Sequence, residues 1–223
     1  MRTLLALLTL LWLAVPGYAA EGEIPLFKNV YYGMSKDTVQ KTTNAIPCTE
    51  DFLKGQLCSK KPITFGNQKW DQLFRFINGK LISVVLSKKF TTESLQNILR
   101  TIENNGYHII LMHTENKSID ILEEWAKGPK NNANLEMMKF EKNASDAHKF
   151  VYTLIEDEGI RKTVKKLNYL SRNILELSAN APRNLRVVEV SRTKKDTLFV
   201  KFLAPIARME DDLKNQEAIN DTF

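Results

Sequence analysis

The 223-residue chain has little of what builds metal and disulfide scaffolds: two cysteines and three histidines. That excludes multi-cysteine zinc modules and dense disulfide frameworks. Nine glycines and seven prolines leave no collagen-like or low-complexity tract. The glycines are scattered and make neither G-x-G-x-x-G nor G-x-x-x-x-G-K-S/T, so no phosphate-cradling loop is expected. The G-x-S-x-G nucleophile elbow is missing too. His108 and His113 are five apart, which on a strand puts them on opposite faces, and His148 lies far along the chain. A zinc site needs three or four ligands, so neither a metal nor a cofactor is expected. The acidic runs Glu123-Glu124 and Glu156-Asp157-Glu158 diverge around a helix and read as solvated faces. These absences favour a non-enzyme.

The one long apolar run stands at the start. Arg2 precedes Leu4 to Val15, where Thr9 is the only polar residue, and Pro16-Gly17 then break the run. A charged start, a short apolar core and small residues form the pattern of a secretory leader. Cleavage after Ala19 places Gly17 and Ala19 at the small-residue positions. An apolar helix of this length rises only about 18 Å, short of a bilayer core of about 30 Å. Residues 1–19 are therefore expected to be a signal peptide. No later segment is apolar enough to span a membrane, so a periplasmic or secreted protein is expected.

Export bears on Cys48 and Cys58. In an oxidising compartment their default is a disulfide, closing a polar loop from Thr49 to Leu57. The other reading is a reactive thiol, but there is no C-x-x-C spacing and no histidine within forty residues.

Pattern then gives the elements. Residues 20 to 30 form an extended lead-in. Ser35 is a good N-cap for a short helix, with Asp37 in its first turn. Trp70 to Ile77 alternates, with Trp70, Gln72, Phe74 and Phe76 on one face, and Asn78-Gly79 marks a hairpin returning through Lys80 to Leu86. Leu95, Ile98, Leu99 and Ile102 make one stripe of a helix from Thr91 to Asn105, ended by Gly106. Tyr107 to Met112 reads as a buried strand. Further on, Ser118 to Lys127 reads as a helix stopped by Gly128-Pro129. Ser145 to Ser178 reads as a long amphipathic helix divided near Gly159. A second hairpin, Arg186 to Val190 with Thr197 to Leu203, turns at Thr193-Lys194-Lys195-Asp196, and a polar tail follows Pro205. The fold class is α+β: an antiparallel sheet with helices packed on one face, then a more helical second half with a C-terminal hairpin. The expected division is a first domain at 20–114 and a helical region with hairpin at 115–223, the two either separate or packed into one domain.

Gly33-Met34-Ser35-Lys36-Asp37-Thr38-Val39, then Phe65-Gly66-Asn67-Gln68-Lys69-Trp70-Asp71 and Phe76-Ile77-Asn78-Gly79-Lys80-Leu81, resemble the BamE/SmpA-type small envelope proteins of bacteria. The resemblance covers about residues 30 to 87. It implies the α+β fold shared with the beta-lactamase-inhibitor-protein type, helices on one face of the sheet, and a role in outer-membrane assembly through partner binding. The chain lacks that family's lipidated cysteine and adds the Cys48–Cys58 loop between helix and sheet.

The chain carries a formal charge of +6, and basic residues cluster most densely between residues 161 and 195. Arg161, Lys162, Lys165 and Lys166 share one expected helix face; Arg186, Arg192, Lys194 and Lys195 flank or occupy the second hairpin. One reading is a surface for an anionic partner, a protein or an envelope component. The other is a solvated face and a charged turn that deters sheet aggregation. Nucleic acid is a poor partner for an exported chain with no interleaved aromatic platform. The triplets beginning at Asn116, Asn143 and Asn220 match the N-glycosylation pattern, which carries meaning only in a eukaryotic secretory path. The leading expectation is an exported non-enzymatic binding protein of the bacterial envelope. A secreted effector or inhibitor, and an envelope-polymer hydrolase with a dispersed site, are the alternatives.

Overall fold

The computed structural model describes residues 23–121, 124, 136–140, 149–158 and 181–220. The leader, the Gly128–Asn134 loop, and the 145–178 pattern outside 149–158 lie beyond the described residues.

An antiparallel sheet dominates a mixed α/β fold. In chain order the strands are β1 (Pro25–Phe27), β2 (Val30–Tyr31), β3 (Ile46–Pro47), β4 (Leu57–Cys58), β5 (Ile63–Phe65), β6 (Gln68–Ile77), β7 (Lys80–Lys89), β8 (Tyr107–Thr114), β9 (Ser118–Asp120), β10 (Phe150–Glu156), β11 (Val187–Arg192) and β12 (Thr197–Leu203). Among the described residues the main helices are α1 (Lys36–Thr43), α2 (Thr92–Asn104) and α3 (Pro205–Asn220), and residues 136–140 are also helical. The main sheet runs β3-β4-β6-β7-β12-β11-β10-β8-β9, with β5 also on β6.

Local chemistry sets many of these elements. Ser35 and Thr91 cap α1 and α2 by accepting from the Thr38 and Ser94 amides. Asn78 and Gly79 both take positive φ, which a two-residue hairpin turn between twisted strands requires. Gly66-Asn67 does the same between β5 and β6. A Cβ on Gly66 would stand 2.7 Å from Thr101 Oγ1, so glycine also lets this hairpin approach α2. Trp70, Gln72, Phe74 and Phe76 are all buried, as their alternation predicts.

The connection between β7 and β8 decides the topology. These strands follow one another in sequence, yet β12, β11 and β10 lie between them in the sheet. Four antiparallel steps leave β7 and β8 parallel, so they need a crossover. Four strand spacings amount to about 19 Å, and the 13 residues of α2 rise about 20 Å. Together with the residues on either side of it, α2 carries the chain across the intervening strands and back to the end of the sheet where β8 begins. Its buried Ile98, Leu99 and Ile102 join the larger core, with Val190 of β11, Val200 of β12 and Tyr152 of β10.

That core occupies one face. Phe27, Phe65 and Phe202 meet there at centroid distances of 4.8 to 5.9 Å, tying β1, β5 and β12 together. Ile110, Ile155, Leu185, Val187 and Ile206 form a smaller cluster, with neighbours in sequence facing the larger core.

Two expected helices differ from the structure. Residues 150–156 are a central strand, because β8 and β11 offer ladders on both sides. Phe150, Tyr152 and Leu154 face the larger core and Ile155 the smaller, so burial on both faces masks the alternation. Residues 118–120 are also a strand, pairing with Leu111–His113, and helical conformation begins only at Ile121. The polar tail after Pro205 is a helix.

Residues 20–114 and 115–223 do not hold separate sheets. Pairing of β7 with β12 and of β8 with β10 puts strands of both stretches into one sheet. A chain ending at residue 114 would lose β12 from the side of β7 and both neighbours of β8, together with Phe150, Val190 and Val200 of the larger core. Its urea titration, followed by circular dichroism, should show no cooperative transition, whereas the full chain should show one.

Candidate interaction surface

Cys48 and Cys58 are joined, with S–S 2.14 Å. The bond closes a loop at the sheet edge, where β3 pairs with β4 and β4 with β6. Inside the loop 51–53 forms a 3-10 turn.

The basic residues of the second hairpin are not gathered into one patch. Arg186 precedes β11 and Arg192 ends it, about 20 Å apart along the strand. Arg186 grips Glu156 in a two-pronged pair: Nε donates to Oε2 at 2.7 Å, and Nη2 donates to Oε1. Its guanidinium also lies over the Tyr107 ring. The Glu156 hydrogen bond outweighs desolvation and holds the guanidinium pKa above its ordinary value. Arg192 stacks on Phe90 at 4.1 Å and donates to Asp196 at 2.6 Å. Lys194 is 76% exposed and stands 3.5 Å from Glu115; Lys195 is exposed on the same turn. Arg161, Lys162, Lys165 and Lys166 lie outside the described residues.

The histidines are placed differently from their spacing. A bulge at Ile110 inserts one residue into β8, which reverses the parity. His108 and His113 are both exposed while Tyr107, Ile109 and Met112 face the larger core, so the two share the opposite face. They still stand roughly 15 Å apart along the strand. His108 Nε2 is 3.5 Å from Asp157. Burial pushes the nearby Glu103 carboxyl up, against the pull of His108. Among the described residues no three of His, Cys, Asp or Glu are grouped to hold a metal. No described helix is long and apolar enough to cross a membrane.

Three features escaped the sequence. An open cleft of about 400 Å³ lies between Lys201 and Leu203 of β12 and Arg208, Met209, Asp212 and Leu213 of α3. Both of its cations face carboxylates: Lys201 meets Glu189 at 3.0 Å and Arg208 meets Asp212 at 3.6 Å. The second is a clamp in which Arg183 reaches Glu210 at 2.5 Å and Asp211 at 2.9 Å, while Tyr32 Oη donates to Asp211 at 3.2 Å. It joins the N-terminal segment, the approach to β11 and α3. The third is Phe52, exposed in the middle of the disulfide loop. Its only signal in sequence is an aromatic between Asp51 and Leu53 in a polar loop.

No family model, curated protein or solved structure matches this chain.

A double-mutant cycle on Arg186 and Glu156, whose side chains are only 29% and 23% exposed, should give a coupling of about 1–3 kcal/mol. The same cycle on Lys194 and Glu115 should give less than about 0.5 kcal/mol, because solvent screens it.

The clamp predicts pH dependence at both ends of the scale. Desolvation opposes the Asp211 carboxylate, but Arg183 outweighs it and holds the pKa below its ordinary value. A lowered acid pKa gives stability that is present above the unfolded value and lost as pH falls through the folded one. Between about pH 5 and 3, the parent chain should therefore lose more stability than Asp211→Asn. Tyr32 is pushed up to about 12, by desolvation first and then by the charge and hydrogen bond of Asp211. Its contribution is present below about pH 10 and is lost toward about pH 12. Tyr32→Phe should lack that alkaline loss in denaturant titrations across the range.

Proposed function

We propose that the chain is an exported, non-enzymatic binding protein of the bacterial envelope, soluble in the periplasm or released outside. It acts through contacts with a protein or an anionic envelope component. The observation that carries this reading is the Cys48–Cys58 disulfide. Such bonds persist in oxidising compartments and are rare where thiols are kept reduced. The leader pattern of residues 1–19 supplies the route.

The resemblance of residues 30–87 to the BamE/SmpA type supplies the mode of action. That resemblance implies helices packed on one face of the sheet and a role played through partner binding. The face opposite the larger core suits such a role. Leu73, Phe199 and Val151 are half-buried there, in the company of the Glu189–Lys201 pair. Mixed apolar and paired polar surface is what non-obligate interfaces present. For an anionic partner, the hairpin turn offers two exposed lysines, Lys194 and Lys195.

Fractionation of cells that make the native chain tests the proposal. A mature product beginning at residue 20 is expected in the periplasm or the medium. Its intact mass should admit two alkylation labels only after reduction. Full-length chain in the cytoplasm, with both thiols labelled without reductant, would overturn the export reading. Pull-down from the envelope fraction should recover a reproducible partner, and consistent failure would overturn the binding reading. Replacing both cysteines by serine should cost roughly 2–3 kcal/mol, the loop-closure entropy of a ring of this size.

A further inference from the structure

Phe52 is 85% exposed, more than any other large apolar side chain among the described residues. It does not sit on a loose tail. The Leu53 amide donates to Glu50 O at 2.9 Å, Lys54 to Asp51 O at 3.2 Å and Gln56 to Leu53 O at 3.0 Å. Cys48 donates to Gln56 O at 3.2 Å, and the disulfide closes the ring outside that bond. The ring is then fixed to the sheet by the Gln56 side chain. Its Oε1 accepts from the Phe76 amide at 2.6 Å, and its Nε2 donates to the Phe76 carbonyl at 3.5 Å. Leu57, next along, is fully buried.

A hydrogen-bonded, disulfide-closed loop therefore displays an aromatic ring to water. The turn does not need the ring, since its hydrogen bonds are all made by main chain. Exposure forgoes the free energy that burying an aromatic side chain gains. Rigid presentation lowers the ordering cost of association, and aromatic side chains are enriched at protein interfaces. Ile77, the residue after Phe76, is 39% exposed and adds apolar surface beside the loop's anchor point. Immediately before Phe52 stand two exposed carboxylates, Glu50 and Asp51; Lys54 is the one cation within the ring. Like charge disfavours docking on an anionic lipid surface.

We propose that Phe52 is the anchor of a protein-docking surface, seated in an apolar pocket of the partner with basic side chains at its rim to meet Glu50 and Asp51. This rests on the reading of the chain as an exported binding protein and adds the disulfide loop to the sheet face as a docking surface.

The test places a benzophenone-bearing phenylalanine at position 52 of the full disulfide-bonded chain in its native cells, and in a parallel strain at Lys195. Illumination should give one protein adduct through position 52, and mass spectrometry should map it to an apolar site bordered by Lys or Arg. Glu50→Lys with Asp51→Lys should abolish that adduct. Phe52→Ala should weaken binding of the purified partner by about tenfold or more, a difference typical of an anchor residue, with the urea midpoint unchanged. An adduct with lipid, with a second copy of the chain, or one indifferent to the charge reversal would overturn the proposal. An adduct through Lys195 alone would overturn it while leaving the binding reading intact. No adduct from either position would overturn both.

Discussion

The pairing of β7 with β12 is the contact on which the rest of the structure depends. It sets Lys89 to Ser83 against Thr197 to Leu203, residues more than a hundred positions apart. Without it the strands either side of α2 would be separated by a gap that no local element fills. With it, β10, β11 and β12 slot between β7 and β8, and the apolar stripe of α2 shares a core with strands from the far end of the chain. The larger core is thus built from both ends at once: Phe27 near the start touches Phe202 near the end. Such a fold is rich in non-local contacts. Loop-closure entropy must be met before they form, so slow folding is the physical expectation.

The parts governed by nearby residues were readable from sequence. Asn78-Gly79, the Ser35 cap and the α2 stripe each depend on chemistry within a few positions, and each stands where its pattern places it. The parts governed by distant residues were not. The run at 150–156 carries Phe150, Val151, Leu154 and Ile155 at spacings that suit a helix face. Only β8 on one side and β11 on the other turn it into a strand buried on both faces. The bulge at Ile110 is equally silent, and it alone moves His108 and His113 onto one face.

The same division runs through the charged residues. A positive side chain in sequence says nothing about the carboxylate that will meet it. Arg192 and Asp196 are four apart across a turn, so their pair was within reach of inspection. Arg186 and Glu156 are thirty apart and meet because β10 and β11 are neighbours. Both arginines therefore act first within the fold. The exposed hairpin cations are the two lysines, which are also the residues that discourage a sheet edge or turn from pairing with another molecule.

The sheet's ends carry the same restraint. At one end β3 is two residues long and contains Pro47, which has no amide to donate. At the other, β9 is three residues long and includes the charged Asp120. Among the described residues, neither offers the long flat edge that strand addition uses. A partner that recognises this protein at its ends must therefore read side chains and not backbone. Beside β3, at the one end stapled by a covalent bond, the structure holds a ring of main-chain hydrogen bonds with a phenyl group pointing outward. The disulfide's thermodynamic role and the aromatic's exposure then belong together. Closing the loop removes disorder from the unfolded chain, and it also fixes the position of a side chain that contributes nothing to the core.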